Sequence, residues 1–569
     1  VKKERTETPP ETSRGTVHVD PATAAGRPGL SCPVFLGGFM ASGKTTVGRL
    51  LAEHLGVPFL DTDDLVERRA GLSVAELFAR RGEPVFRAFE AEAVKELLPL
   101  RNVVVALGGG VPTNRELRSL LLERGFLAML SVSASTALFR AGSSESRPLL
   151  DPERAEALLA SRAEAYASGH VTVDTEERTP SEVATVLLHL LEEKGICEKN
   201  ALSGRGRETC RKTVSGGHDG EPARVFVGEG LLSRLSELVP TLPPEGPFVV
   251  SDHLVGPLFG DRVRPLRGLH LLPRGEEAKT LDRTRSLYDA LAEAGIDRGD
   301  CIAALGGGTV GDAAGFAAAT WLRGIAFLQC PTTLLAMVDS SLGGKVGVNL
   351  PQGKNLVGAF YSPVATVMDV ATLRTLPDED FRQGLAEVVK YGVGEDQDFL
   401  GELSEKREAI SRRDPETLVR LVRKCALLKT AVVAEDEKET SGVRARLNLG
   451  HTVGHALEGA SEYAWRHGDA VAAGLVVALE MGKRRGTCST AFAETVAELL
   501  RFFGLPDRPD RSWEELLPFL ARDKKFRRGV PLLVLPREKG TCTLEECSLE
   551  ELRRAYETVS GGRGSVASS

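Results

Sequence analysis

A chain of 569 residues exceeds what one hydrophobic core supports, and ordinary domain sizes divide it into about three or four. Apolar content of 42% and charged content of 27% fit a globular protein, and a net charge of −7 argues against a dedicated binder of nucleic acid or membrane surfaces. No apolar run is long enough to span a bilayer, and nine scattered cysteines without a CxxC pair read as free thiols of a reducing cytoplasm.

Residues 1–32 are polar, rich in Thr, Pro and Glu, and lack a signal peptide's apolar core, so a disordered arm is expected. The apolar run Val34-Phe35-Leu36 then enters Gly38-Phe39-Met40-Ala41-Ser42-Gly43-Lys44-Thr45, a complete P-loop in its strand–turn–helix setting. Backbone N–H groups between Gly38 and Gly43 wrap phosphate oxygens. Lys44 reaches the outer phosphates, and Thr45, followed by Thr46, offers a hydroxyl to Mg²⁺. Next, Phe59-Leu60 delivers Asp61 and Asp63. If the strand continues, both point to one side, one near a metal and one near a substrate hydroxyl; the other reading is a helix N-cap cluster before Leu65-Val66-Glu67. On a predicted helix, Arg87 in Phe86–Glu90 either clamps a carboxylate or pairs with Glu90. The buried-type strand Val103–Leu107 feeds Gly108-Gly109-Gly110, where bare backbone lets a small polar ligand approach.

With Ser146-Arg147-Pro148-Leu149-Leu150, and Val173-Asp174-Thr175 ahead of Pro180, residues 33–194 resemble shikimate kinase. The resemblance implies a nucleoside-monophosphate-kinase-like parallel α/β sheet and transfer of the ATP γ-phosphoryl group to the 3-hydroxyl of shikimate. It assigns Asp63 to orient or deprotonate that hydroxyl. Arg87, Arg162 and Gly108, Gly109 and Gly110 hold the carboxylate and ring hydroxyls. Arg147, on a lid with residues 141–145, meets the migrating charge. Arg140 and Pro180 flank adenine, and Asp61 supports Mg²⁺ beside Thr45.

Residues 195–222, rich in Gly, Ser and charge, read as an unstructured linker. Over 223–369, strands at Arg224–Val227, Pro247–Ser251, His270–Leu272, Cys301–Leu305 and Phe327–Pro331 alternate with amphipathic helices, the pattern of a Rossmann-like α/β sheet. Gly306-Gly307-Gly308-Thr309-Val310-Gly311-Asp312 satisfies G-x-G-x-x-G after a strand, and Asp252 ends an earlier one, so a dinucleotide site is expected. Over 370–558 helical periodicity takes over at Asp380–Tyr391, Pro415–Glu435 and Asp469–Arg484, before a flexible tail at 559–569. His451 and His455, four apart, share a helical face, and spacing alone nominates both as metal ligands. Thr452 stands where a zinc protease needs Glu.

The stretch from Pro331 to Lys345, with Gly353-Lys354-Asn355, Ala386-Glu387-Val388-Val389-Lys390 and Asn448-Leu449-Gly450-His451, resembles 3-dehydroquinate synthase over 225–556. The resemblance implies an NAD-binding α/β part and a mostly helical metal-binding part. It implies conversion of 3-deoxy-D-arabino-heptulosonate 7-phosphate to 3-dehydroquinate and phosphate, with NAD⁺ borrowing and returning a hydride. It makes Glu387, His451 and His467 the ligands of Zn²⁺ or Co²⁺ and leaves His455 to the substrate. Lys345 and Lys390 join His455 in catalysis. Arg323, Asp339, Asn355, Lys429, Arg444, Asn448 and Lys524 complete the substrate contacts; either Lys524 or Lys525 points inward. Asp252, Glu276, Lys279, Gly307, Gly308, Asp312, Thr332, Thr333 and Lys354 hold NAD. A homodimer through this unit is also implied. The rival reading is a metal-dependent NAD alcohol or polyol dehydrogenase, which releases its NADH; Ser340-Ser341-Leu342-Gly343-Gly344-Lys345 favours the synthase.

Overall fold

The computed structural model describes residues 29–141, 152–198, 212–214, 223–436, 439–462, 464–520, 526–527, 530–538 and 540–561. Most of the expected N-terminal arm, Arg147 with nearly all of its lid, Lys524, Lys525 and residues 562–569 lie outside them.

The first unit is a five-stranded parallel sheet in the order Phe59–Asp61, Val104–Ala106, Val34–Gly38, Phe126–Ser131, Val171–Asp174. Alternation along the strands builds two apolar layers. Val34, Leu36, Val104 and Ala128 pack with Val47, Leu51, Val183 and Leu187 of two helices. Phe35, Val105 and Leu127 point the other way, toward Val94, Leu97 and Leu117. The P-loop strand is central, so its loop opens beside the ends of the Asp61 and Ala106 strands, where α/β sheets bind ligands.

Two expectations for this region are corrected. The Asp61 strand does not continue: a helix starts at Thr62, and Asp61 caps it by accepting from the Asp63 N–H at 3.0 Å. A carboxylate just ahead of free helical N–H groups favours that turn over extended backbone. The segment 195–222 is not wholly unstructured either. Cys197–Glu198 pairs antiparallel with Gly29–Leu30, which fell in the expected arm, and Lys212–Val214 pairs antiparallel with Ala223–Gly228. Such short strands need no periodicity of their own, because the partner strand supplies their hydrogen bonds.

The second unit is a seven-stranded sheet ordered Gly268–Leu272, Phe248–Asp252, Cys301–Gly306, Ala326–Pro331, Ala365–Asp369, Ala223–Gly228, Lys212–Val214, parallel except for the last pair. Chain order reverses between the strands ending at Asp252 and Gly306, and that switch point opens a crevice at their C-terminal ends. Beyond it, Asp378–Gly394 is the most enclosed of three long helices, buried almost throughout from Phe381 onward. The other two, Pro415–Glu435 and His467–Arg484, carry partly exposed faces. Two antiparallel pieces have no counterpart in the sequence reading: the hairpin Lys345–Leu350/Gly353–Phe360 and a three-stranded sheet over 526–546. None of the described helices is long and apolar enough to cross a membrane.

The units touch through a polar tie and a shared apolar cluster. Asn102, at φ 47°, accepts from Leu30 N–H at 2.6 Å and donates to the Arg374 carbonyl at 3.2 Å. Arg101 pairs with Asp378 at 2.9 Å, and Arg413 holds the same oxygen at 2.7 Å. Leu97 and Leu98 belong to one apolar cluster with Leu254 and Leu258. Asp378 opens the helix that carries Glu387 and Lys390.

Candidate active sites

The P-loop curls because Gly38, Ala41 and Gly43 adopt φ of 142°, 56° and 90°. At Gly38 a Cβ would meet the Leu130 carbonyl at 2.4 Å, so only glycine fits. Lys44 Nζ donates to the Gly38 and Phe39 carbonyls at 3.1 and 2.8 Å, spanning the loop. Buried Ser42 Oγ lacks a partner just ahead of the helix Lys44–Leu55, as suits an incoming phosphate oxygen. Thr45 Oγ1 donates to Asp61 Oδ2 at 2.7 Å, which joins the expected Mg²⁺ residues; Thr46 is exposed beside them.

A second set of groups converges on Gly108–Gly110. Gly108 N–H donates to Thr62 Oγ1 at 2.7 Å. A Cβ on Gly108 would lie 2.3 Å from Glu90 Oε1 and 2.9 Å from Asp63 Oδ1, and one on Gly110 would strike the Arg87 guanidinium. Tyr166 Oη and Arg162 Nη1 donate to the Gly109 carbonyl at 2.8 and 3.4 Å. Shielding from water, with repulsion from Asp61 and Glu90, raises the Asp63 carboxyl to about 6. Arg87 donates to Glu90 at 2.7 Å and to Glu83 at 3.0 Å. The sequence offers Glu90 only as a partner for Arg87. It is 2% exposed, and its Oε1 has no hydrogen-bond partner, so it is part of the pocket wall, as is Tyr166, which no local sequence pattern marks. Arg140 donates to Thr175 Oγ1 at 3.0 Å and to the Thr175 carbonyl at 2.5 Å, which sets it beside the turn leading to Pro180.

In the second unit, Gly307 and Gly308 open a 13-residue helix at the switch point. A Cβ on Gly308 would meet Ser340 Oγ at 2.7 Å. Ser340 Oγ and Thr332 Oγ1 are buried without partners, so the crevice offers bare backbone, a helix N-terminus and unsatisfied hydroxyls, a fit for a dinucleotide pyrophosphate. Lys279 Nζ donates to Asp312 at 2.6 Å and to Asn355 at 2.7 Å, placing Asn355, assigned to the substrate, against the dinucleotide set. Glu276 accepts from Asn349 at 2.5 Å, and Thr333 Oγ1 caps Ala336 N–H at 3.1 Å. Asp252 spends one oxygen on the Leu254 and Val255 N–H groups, both at 2.8 Å.

Glu387, His451 and His467 come from three helices and place one donor atom each within 4.8 Å of one another. Both His Nε2 atoms lie 3.5 Å from Glu387 Oε1. Burial alone would raise the Glu387 carboxyl, but Lys390, against which it packs, and the imidazoles hold it well below the usual range. Burial and the Lys390 charge keep His451 neutral and able to donate a lone pair. Against burial, the carboxylates Glu387 and Glu458 raise His467 to about 10, so the pocket draws positive charge. A fully buried carboxylate whose Oε1 faces two imidazoles fits a divalent cation that takes nitrogen and oxygen donors. Lys429 donates to Asp339 Oδ1 and to its carbonyl, both at 2.6 Å, and Arg444 is 3% exposed against Gly343. His455 is exposed on the rim, its ring centroid 5.3 Å from that of His451, and Asn448 ends the turn just before. Three more assigned residues are solvent-exposed. Lys345 pairs with Glu439 at 2.8 Å, Lys354 is exposed, and Arg323 is exposed after the helix Gly308–Thr320.

Glycine brings the ligand helices together. A Cβ on Gly474 would lie 2.0 Å from the Gly450 carbonyl, and one on Gly468 would lie 2.4 Å from the Gln383 carbonyl. Gly474→Ala therefore wedges the His467 helix from the His451 helix. The expected result is a loss of about 1–3 kcal/mol in stability, read by urea unfolding, together with weaker metal retention on dialysis.

Comparison with known proteins gives three family matches: shikimate kinase over residues 40–192, 3-dehydroquinate synthase N-terminal over 269–383, and 3-dehydroquinate synthase C-terminal over 384–526. The 3-dehydroquinate synthase of Pseudomonas entomophila is 42% identical over 339 residues, covering 58% of this chain and 93% of its own length. The 2-epi-5-epi-valiolone synthase of Streptomyces hygroscopicus, solved with NAD⁺ and Zn²⁺ bound, is 25% identical over 62% of this chain and 99% of its own, with a TM-score of 0.55. A shikimate kinase from Acinetobacter baumannii, solved with shikimate, is 34% identical over 29% of this chain and 94% of its own, with a TM-score of 0.28.

Proposed function

The chain belongs to the 3-dehydroquinate synthase family and carries a shikimate kinase unit ahead of it, and we infer from the two pockets how its side chains divide the work. It is a bifunctional enzyme of the shikimate pathway. One unit phosphorylates shikimate with ATP, and the other converts 3-deoxy-D-arabino-heptulosonate 7-phosphate to 3-dehydroquinate and phosphate. The dehydrogenase alternative is not favoured by these matches.

In the kinase pocket, phosphoryl transfer asks for positioning and charge rather than covalent help. Lys44 and the helix N-terminus hold the transferring phosphates. Thr45 and Asp61 would hold Mg²⁺, which when bound would neutralise phosphate charge. Asp63 orients the attacking hydroxyl and accepts its proton. Arg87, fixed by Glu90, and Arg162 fork the carboxylate above Gly108–Gly110. Arg147, outside the described residues, is assigned to the migrating phosphoryl oxygens, and Arg140 with Pro180 to adenine. The convergence of Asp63, Arg87 and Arg162 on one glycine turn beside the P-loop carries this reading.

In the synthase pocket, the crevice would hold NAD⁺, which when bound would supply a reversible hydride acceptor, and Glu387, His451 and His467 would hold Zn²⁺ or Co²⁺, which would supply a Lewis acid. Lys390, Lys429 and Arg444 neutralise a doubly anionic substrate. His455, on the open rim, is placed to exchange a proton with it. Lys345 and Arg323, both exposed, are assigned to the same substrate. The three-donor cluster carries this reading.

Paired assays on one purified chain test both halves: shikimate-dependent ADP formation, and phosphate release from the heptulosonate phosphate with and without chelator. Steady NADH accumulation with that substrate would instead support the dehydrogenase. We also assign the chain to a homodimer. Leu356 and Phe360, 53% and 50% exposed, share one face of the hairpin, an apolar surface that a second copy would cover. Light scattering should return twice the chain mass, and a single-chain mass overturns the dimer. The free thiols Cys32, Cys301, Cys330 and Cys425 suit a reducing cytoplasm.

A further inference from the structure

The helix His451–Ala460 sets His451, His455 and Glu458 on one face, at spacings of four and then three. Glu458 is not among the residues assigned above to metal, cofactor or substrate. Its Oε1 lies 3.1 Å from Nδ1 of His467, whose Nε2 lies 3.5 Å from Glu387. The two nitrogens of His467 thus face two different carboxylates. His451 repeats the arrangement with a backbone group: its Nδ1 lies 3.2 Å from the Leu449 carbonyl, and its Nε2 lies 3.5 Å from the same Glu387 oxygen. In both rings an acceptor holds Nδ1–H, and Nε2 is turned toward Glu387. An imidazole fixed in this way keeps its Nδ1 proton and turns Nε2, the atom that would ligate once a metal displaces any proton there, toward the shared point.

We propose that Glu458 is a positioning residue that fixes the tautomer and orientation of His467 through Nδ1, as the Leu449 carbonyl does for His451. The proposal rests on the reading of Glu387, His451 and His467 as the divalent-metal ligands. A rival exists within the same side chains, because His455, Glu458 and His467 also bring one donor atom each within 4.8 Å of one another. In that arrangement Glu458 would itself ligate. The geometry favours the positioning role, since fully buried Glu387 turns Oε1 to both His451 and His467 while Lys390 holds Oε2, whereas His455 is exposed and Glu458 already accepts from His467.

The test uses the full chain and three variants, Glu458→Gln, Glu458→Asp and Glu458→Ala. Zn²⁺ affinity is measured by competition with a chromogenic chelator, and the visible absorption bands of the Co²⁺-loaded protein are recorded. Shikimate-dependent ADP formation is the folding control. Loss of the acceptor in Glu458→Ala should weaken Zn²⁺ binding by about 10- to 100-fold and shift the Co²⁺ bands. Glu458→Gln keeps an oxygen for Nδ1–H and should restore affinity to within a few-fold, with one ion per chain in every variant. If the alanine variant does not fold, Glu458→Asp carries the test: its oxygen falls one methylene short, so it should loosen Zn²⁺ while Glu458→Gln does not. Wild-type affinity and unchanged bands in the alanine or aspartate variant overturn the proposal. So does a glutamine variant as poor as alanine, which would make the charge of Glu458 a ligand. Failure of the underlying metal reading looks different: His451→Ala would then bind Zn²⁺ like the unaltered chain.

Discussion

Lys44→Met should lower shikimate-dependent ADP formation by about 10³-fold and leave phosphate release from the heptulosonate phosphate unchanged. Methionine preserves the length and most of the volume of the side chain, so the loss is one of charge. The ammonium lies at the mouth of a loop whose backbone turns N–H groups inward, with the Gly38 and Phe39 carbonyls as its acceptors. Those bonds are part-buried, and losing them costs about 1 kcal/mol each, too little to unfold the unit. The absent charge is felt when phosphate oxygens gain negative charge in the transition state, where no other side chain of the loop replaces it. Both assays are run on the same preparation. An equal fall in synthase activity would sink the assignment of the two reactions to separate pockets.

His451→Ala makes the mirror-image case. It removes a neutral nitrogen donor from the Glu387 cluster, and phosphate release should fall by about 10³-fold or more as the Lewis acid is lost. Metal per chain after dialysis, measured by atomic absorption, should drop toward zero, while ADP formation persists. The Glu387–Lys390 pair stays intact, so no buried charge is stranded. A small buried gap remains, worth about 1–3 kcal/mol on the unfolding curve. A variant that keeps both its metal and its rate removes His451 from the ligand set.

How much of this was legible in the residues depends on how local the signal is. The helix predicted over Pro415–Glu435 begins and ends where the structure puts it, because Asp414 caps it and Pro415 suits its first turn. The five strands predicted over 224–331 are all present within a residue or two, since buried parallel strands are continuous apolar runs. The sheet over 526–546 is harder to read because Pro531 and Pro536 interrupt the buried apolar strand Val530–Arg537, and its partner Thr541–Glu546 mixes Thr and Glu with Leu. For Asp61 and Asp63 the residues offer a continuing strand or a helix N-cap cluster, and the backbone takes the second, turning into a helix at Thr62. Spacing along one helix pointed to His451 and His455. Glu387 is 64 positions before His451 and joins it only through packing of three helices, which no local pattern encodes. The tight contact at Gly474 is equally silent, since one helical glycine looks like another until a neighbouring backbone arrives at 2.0 Å.

The antiparallel pairing of Gly29–Leu30 with Cys197–Glu198 has an evolutionary corollary. Paired residues on such strands lie about 5 Å apart, so the chain enters and leaves the five-stranded body at almost one point. A body whose chain ends meet can be spliced into or out of a gene as a cassette without re-routing the backbone of its neighbour. The same closeness means a few added residues could join those strands directly and new ends could be opened elsewhere, yielding a permuted kinase of unchanged architecture.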